Sequence, residues 1–238
     1  MTNLDYVDRT DFDNAARGYL GTIDPAEAGP WCAVGTLLIA YGGLLAIDFR
    51  PGETLLVSGA TGNFGSATVA LALAMGARCV VAPGRNAAVL DDLRARFGQR
   101  IVPVRLSGDG AADTETMKRA APGPIDAVQD FLPPSVGAGV PRAAIMTLRQ
   151  GGRAVLMGGV GMLGGPGLEL PYPWIMRNCI TIYGVWMYPP DATIRLIRAG
   201  LLRLSHFEAT SFDLDHANDA VAHAAANSGP FKMTVIRP

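Results

Sequence analysis

Charged residues are scarce in this sequence: Asp, Glu, Lys and Arg make up 17% of the 238 residues, and the net charge at pH 7 is -1. The chain contains no cluster of Lys or Arg. Such a surface offers no electrostatic footprint for nucleic acid or for an anionic membrane, so we expect neither as a partner. Hydrophobic residues make up 49%, which suits a large core and argues against a disordered chain.

Cysteines are also few. Cys32, Cys79 and Cys179 are odd in number, scattered and set in apolar stretches. This pattern does not favour a disulfide framework, and it predicts reduced, buried thiols in a cytoplasmic protein. The acidic N-terminus lacks the basic-then-apolar order of a signal peptide, which also favours the cytoplasm.

Long uncharged runs are limited to one. The stretch Ala28–Ile47 carries no charge over twenty residues, which is long enough to cross a bilayer as a helix. Proline and glycine interrupt it, and no basic residue flanks it. A buried helix over Trp31–Ile47 is the favoured interpretation, and a membrane span is the alternative.

The rest of the chain is organised around a glycine-rich turn. An apolar strand, Thr54–Ser58, precedes it, and an Ala- and Leu-rich helix follows from Ser66. A second strand, Arg78–Ala82, ends about twenty residues beyond the glycines, as in a dinucleotide-binding unit. A pyrophosphate would bind at the helix N-terminus, where N–H groups are unpaired. An ordinary tight turn is the alternative. The candidate ligand residues of the turn are Gly59, Thr61, Gly62, Asn63, Phe64 and Gly65.

Strands and helices alternate after this turn, which predicts an α/β fold with a doubly wound parallel Rossmann sheet. A strand–helix–strand unit beyond the sixth strand has no place in that sheet, and it looks like a remnant of a second domain. The predicted boundaries are 1–28 for an N-terminal arm, 29–187 for the Rossmann domain and 188–238 for the remnant. Further strands are predicted at Ile101–Val104, Ile125–Gln129, Ala154–Met157, Ile180–Val185, Glu208–Phe212 and Phe231–Ile236, and a helix that carries Ala144, Ile145 and Leu148 is predicted to end at Gly151.

The end of the second strand bears on cofactor choice. NAD-specific folds place an acidic residue there, which binds the adenosine ribose and repels a 2′-phosphate. This chain has Gly84, Arg85 and Asn86 instead. An Arg guanidinium can bind a phosphate through charge-assisted hydrogen bonds. The pattern predicts NADP(H) in preference to NAD(H), with a merely solvent-exposed Arg85 as the alternative.

Several stretches resemble the medium-chain dehydrogenase/reductase family, which includes zinc-type alcohol dehydrogenases and zinc-free quinone reductases. They are RPGETLLVSGATGNFG, LALAMGARCVVAPGRN, IDAVQDF, LRQGGRAVLMGGVG and FDLDHANDAVAHAAANSGPFKMTVI. The resemblance implies NAD(P)H binding and hydride transfer to or from a carbonyl or activated double bond. About thirty residues precede the helix at Trp31, where the family has a GroES-like domain, so most of that domain is expected to be lacking.

The resemblance also implies roles for single residues. Thr36 matches a position that lines the nicotinamide pocket, although a packing role in mid-helix is equally expected. The backbone of Gly158, Gly159 and Val160 would face the nicotinamide. Lys232 would reach a cofactor phosphate, with an exposed lysine as the alternative. Cys32 matches one zinc ligand, but the other ligands are lacking, so we expect no metal.

Two further expectations complete the functional prediction. Family members commonly dimerise through the strand that corresponds to Ile180–Val185, so we expect a homodimer. The reaction would be zinc-independent and would act on a small-molecule substrate that the sequence does not name, and no catalytic residue is identified. The alternatives are a non-catalytic NADP(H)-binding protein and an atypical short-chain reductase or redox sensor.

Overall fold

The computed structural model describes residues 28–186 and 191–237. These residues form a parallel sheet with helices on both faces, followed by a small strand–helix–strand unit. In chain order the elements are α1 (Ala28–Trp31), α2 (Ala33–Ala46), β1 (Thr54–Ser58), α3 (Asn63–Ala74), β2 (Cys79–Gly84), α4 (Ala87–Phe97), β3 (Ile101–Arg105), α5 (Gly110–Ala120), β4 (Ile125–Asp130), α6 (Gly139–Ile145), β5 (Leu148–Leu156), α7 (Tyr172–Arg177), β6 (Thr181–Gly184), α8 (Asp191–Arg198), β7 (Glu208–Asp213), α9 (Ala217–Ala226) and β8 (Lys232–Arg237).

The large sheet has six parallel strands in the order β3-β2-β1-β4-β5-β6. Strand β1 is buried along its whole length, and its Leu55 lies opposite Val80 of β2 and Ala127 of β4. The strand order reverses between β1 and β4, which is where open α/β sheets bind ligands at their carboxyl edge. The predicted doubly wound Rossmann sheet is therefore confirmed.

Alternating side chains of β1 pack into two separate hydrophobic cores, one on each face of the sheet, because successive residues of a strand point to opposite faces. Leu55 and Val57 pack with the helices α2, α3 and α4 on one face. Leu56 packs with Met117 of α5 and Ile145 of α6 on the other. Both faces of the strand are covered, which accounts for its continuous apolar sequence.

The long apolar run is a helical stretch packed on the sheet. Residues Gly29–Ala46 are apolar and long enough to cross a membrane by length and composition, and 39% of that stretch is buried. Gly43 lets the helix approach the sheet closely, since a Cβ there would overlap Gln129 and Met157. The Gln129 amide donates to Ala40 O at 2.9 Å. The lack of a membrane partner stays a prediction.

The C-terminal unit pairs β7 with β8 in parallel, with α9 between them in the chain. Phe231 anchors it: its side chain is 1% exposed within the main core, and its N–H donates to Ser66 Oγ at 3.1 Å. Ser66 lies in the first turn of α3, so the unit is joined to the start of that helix. The domain boundaries 1–28, 29–187 and 188–238 stay predictions, and residues 1–27 and 187–190 lie outside the described part.

Two predictions from the sequence are wrong. Helix α6 ends at Ile145, and Leu148 begins β5, whose strand was predicted to begin only at Ala154. The Thr147 hydroxyl donates to Ala144 O in the last turn of α6 and helps to end the helix there.

The expectation of three buried thiols also fails, because Cys32, between α1 and α2, and Cys179, in the turn before β6, are exposed.

Candidate functional site

The glycine-rich turn is tight and brings the start of α3 close to the end of β1. Gly59 has φ +90°, a conformation that favours glycine, and the Gly62 N–H donates to Gly59 O at 2.9 Å. A Cβ at Gly65 would overlap the Gly59 carbonyl, so only glycine lets α3 begin this close to β1. The N-terminus of α3 therefore meets the carboxyl edge of the sheet with its first N–H groups free of side-chain caps.

Residues of the same turn link it to its surroundings. The Asn63 amide donates to Thr36 Oγ1 at 3.4 Å, which joins the turn to α2. Phe64 stacks on Phe131, which follows β4, with ring centroids 5.6 Å apart. Thr36 is buried, so its hydroxyl belongs to the internal packing of the turn as well as to this side of the site.

The carboxyl end of β2 lies beside the turn. A Cβ at Gly84 would lie 2.8 Å from the methyl group of Thr61, so this position also requires a small residue. Arg85 follows, exposed, and makes no hydrogen bond or ion pair with the described residues. Asn86 caps α4, because its side-chain oxygen accepts a hydrogen bond from Val89 N. The guanidinium of Arg85 is free to meet a ligand.

Lys232 borders two neighbouring clefts, of about 410 Å³ and about 450 Å³. Thr61 and Gly229 line both, Gly62 lines the first and Asn86 lines the second. The structure thus brings the glycine-rich turn, Asn86 and the start of β8 to one place. Within the described ranges the exposed Lys232 has no carboxylate partner, so an ammonium group stands free at the clefts.

The loop after β5 forms the other side of the crevice. The Gly159 N–H donates to Leu132 O at 2.9 Å, and Val160 follows it, half-buried. A Cβ at Gly158 would lie 2.6 Å from both Asp130 Oδ2 and Leu132 O. The loops after β4 and β5 are therefore in direct contact, and the predicted residues Gly158, Gly159 and Val160 lie at the carboxyl edge.

A buried polar pair, Ser58 and Asp130, lies at the same edge. They are the last residues of β1 and β4 and lie opposite each other, 1% and 3% exposed. Burial raises the pKa of Asp130 to about 6, and the neighbouring Ser58 hydroxyl and the Leu132 N–H oppose that rise. Ser58 Oγ and Asp130 Oδ1 have no hydrogen-bond partner of normal geometry. The strand register that pairs Asp130 with Ser58 is not readable from the sequence, so local sequence patterns do not indicate this pair.

The described residues contain no group of three His, Cys, Asp or Glu side chains that could hold a metal ion. Cys32 is exposed at the start of α2. The zinc independence predicted from the sequence stays a prediction. No side chain of the described site is assigned as catalytic.

Structural comparison shows what this fold is similar to. A putative alcohol dehydrogenase from Sinorhizobium meliloti 1021 matches 85% of the chain at 25% identity and a TM-score of 0.65. The alcohol dehydrogenase of Thermus sp. ATN1 matches 85% at 23% identity and a TM-score of 0.66. A short-chain alcohol dehydrogenase from E. coli CFT073, complexed with NADH, matches 82% at 17% identity and a TM-score of 0.66.

These matches cover 53%, 57% and 55% of the respective solved chains, so this chain spans about half of their length. No family model matches the sequence, and no curated protein does. The structure therefore shares with alcohol dehydrogenase structures the parallel Rossmann-type fold.

Proposed function

We propose that this chain binds a nicotinamide adenine dinucleotide and belongs to an oxidoreductase. The observation that carries the proposal is the phosphate turn, in which Gly59, Gly62 and Gly65 bring the start of α3 to the point where the strand order reverses. The NADH bound to the E. coli neighbour supports a nicotinamide cofactor for this fold.

The residues of the crevice fit such a cofactor. The N-terminus of α3 and the free Lys232 would hold the pyrophosphate, because both present positive charge to an anion. Gly158, Gly159 and Val160 would offer backbone groups to the nicotinamide side. The bound cofactor would supply or accept a hydride at the nicotinamide C4, and the chain would provide position and electrostatics.

NADP(H) is the proposed preference. Arg85 is exposed and unpaired among the described residues, and no acidic residue lies at the end of β2 to repel a 2′-phosphate. One or two charge-assisted hydrogen bonds contribute roughly 1.5 to 3 kcal/mol each, which corresponds to tenfold or more in affinity. Arg85→Ala should weaken NADPH binding by at least that factor and leave NADH binding nearly unchanged.

The measurement is a titration of both cofactors against wild type, Arg85→Ala and Arg119→Ala. Arg119 is also an exposed arginine, but it lies in the last turn of α5, so it controls for the loss of a surface charge. Equal binding of NADPH and NADH by wild type would contradict the preference, as would an equal loss of both in Arg85→Ala.

The proposed reaction is a zinc-independent hydride transfer to or from a carbonyl or activated double bond of a small molecule. The second candidate is a non-catalytic NADP(H)-binding protein, which would hold the cofactor through the same turn, Arg85 and Lys232 without turnover. Assays of NADPH oxidation with quinones, enones and aldehydes distinguish them. Cofactor binding without turnover would favour the non-catalytic candidate. Elemental analysis that finds stoichiometric zinc in the purified protein would refute the proposal that the reaction is independent of zinc.

Assembly through β6 is proposed as well, in a cytoplasmic homodimer. Strand β6 is the edge of the sheet, paired with β5, and the nearby Tyr183 and Trp186 are 38% and 70% exposed. An edge strand with exposed apolar neighbours is suited to pairing with a second copy. Sedimentation should show a dimer, and a monomer throughout the micromolar range would contradict it.

A further inference from the structure

The buried carboxyl group of Asp130 is not explained by packing. Its side chain makes no ion pair with any described residue, and one of its oxygens has no hydrogen-bond partner. A buried ionisable group without a counter-charge reduces stability. Groups of this kind concentrate at functional sites, and this one lies where the strand order reverses.

Asp130 is in contact with both loops that form the nicotinamide side of the crevice. Its Oδ2 and the Leu132 N of the loop after β4 lie on the same side of Gly158, in the loop after β5, 2.6 Å and 2.8 Å from where a Cβ on Gly158 would be, and the Leu132 N–H acts to lower the pKa of Asp130. The Met157 N–H donates to Asp130 O at 3.1 Å, so the backbone holds the same two loops together.

The same segment reaches the phosphate turn. The Phe131 N–H donates to Ser58 O at 2.9 Å, and the Phe131 ring stacks on Phe64. Gly59 also lies against Phe131, because a Cβ there would be 3.3 Å from the Phe131 carbonyl carbon. The loop 131–132 therefore lies between the phosphate turn and the Gly158 loop, and its position sets the spacing between them.

We propose that Asp130 is a positioning residue for the dinucleotide: it holds Leu132 and Gly158 so that the nicotinamide side of the crevice keeps its distance from the phosphate turn. This inference rests on the proposed cofactor function. It concerns the nicotinamide half of the ligand alone, because Arg85 and Lys232, which would bind phosphates, form no hydrogen bond or ion pair with Asp130 within the described ranges and do not contribute to its pKa shift.

The test compares the affinity for the complete dinucleotide with the affinity for its adenosine half. Affinities for NADPH and for 2′,5′-ADP, which lacks the nicotinamide half, are measured for wild type, Asp130→Ala and Asp130→Asn. Asp126→Asn is the matched control, since Asp126 is the second residue of the same strand, near its opposite end, and its Oδ1 lies 2.6 Å from Arg149 Nε. Circular dichroism and thermal unfolding verify that each variant is folded.

Asp130→Ala should weaken NADPH binding about tenfold and leave 2′,5′-ADP binding within about twofold of wild type, the tenfold corresponding to about 1.4 kcal/mol. Asp130→Asn keeps an oxygen that can face the Leu132 N–H, so it should restore NADPH affinity to within about threefold. Equal losses for both ligands, or unchanged NADPH binding in folded Asp130→Ala, would overturn the inference. If wild type binds neither ligand, the proposed cofactor function itself fails.

Discussion

Replacement of Asp130 by Asn should stabilise the protein near neutral pH, even though it removes a charged group. The pKa of Asp130 is raised from its ordinary value of 3.8 to about 6, mainly by burial. The folded state therefore holds this proton more tightly than the unfolded state does. The stability that follows from this is fully present below about pH 4 and is lost as the pH rises through about 6.

The size of the effect follows from the two pKa values. One pKa unit corresponds to about 1.4 kcal/mol, so a shift of about two units sets a ceiling of about 3 kcal/mol for the free energy that ionised Asp130 removes from folding at neutral pH. The local neighbours of the carboxyl group are the Ser58 hydroxyl and the Leu132 N–H, and no charged side chain contributes to the shift. Asn carries no titratable proton, so the variant lacks this pH dependence.

Urea unfolding at about pH 4.5 and about pH 7.5 measures the pH dependence of the free energy of unfolding that Asp130 causes. The stability advantage of Asp130→Asn over wild type should grow by roughly 2 kcal/mol between these two values, from the linkage of protonation to folding. Asp126→Asn should show no such growth, because Asp126 is paired with Arg149 near the other end of β4. A constant difference between Asp130→Asn and wild type across this range would refute the argument that Asp130 is buried without compensation.

Two other changes test the fold around the site. Gly65→Ala should destabilise the protein by about 1 to 3 kcal/mol and weaken NADPH binding, because the new Cβ overlaps Gly59. Gly35→Ala is the control, since a Cβ on Gly35 of α2 meets open space. It should leave stability unchanged or raise it by up to about 1 kcal/mol. Chemical denaturation of both variants checks this, and equal stabilities would contradict it. Glu53→Gln should cost about 2 kcal/mol in the same assay, since Glu53 and Arg153 form a largely buried ion pair at 2.6 Å; a change below about 0.5 kcal/mol would show that the pair contributes little.

Much of the site was predictable because local chemistry dictates it. The spacing of Gly59, Gly62 and Gly65 between an apolar strand and an apolar helix requires a tight turn and a close helix–strand approach, and the structure has both. Asn86 marks the N-terminus of α4 as its N-cap residue, because its side chain can accept a hydrogen bond from the first free N–H groups of the helix. Alternation of strands and helices likewise predicted the parallel sheet.

Other features depend on contacts between distant parts of the chain. A cysteine in an apolar stretch of sequence is buried only if the local backbone points its side chain inward. Cys179 lies in a turn and is exposed, although its sequence neighbours are apolar. The bend after Ile145 that separates α6 from β5 depends on the pairing of Leu148 with Ile125 of β4, since helix and strand propensities there are similar.

The sequence by itself determined the class of fold and the glycine-rich turn, because both follow from periodicity and from the backbone freedom of glycine over a few neighbouring residues. Only the tertiary structure decided that Lys232 shares a cleft with Thr61 and that Asp130 lies opposite Ser58. These residues are separated by many positions in the chain, and their proximity is set by strand order and register, which no local pattern encodes.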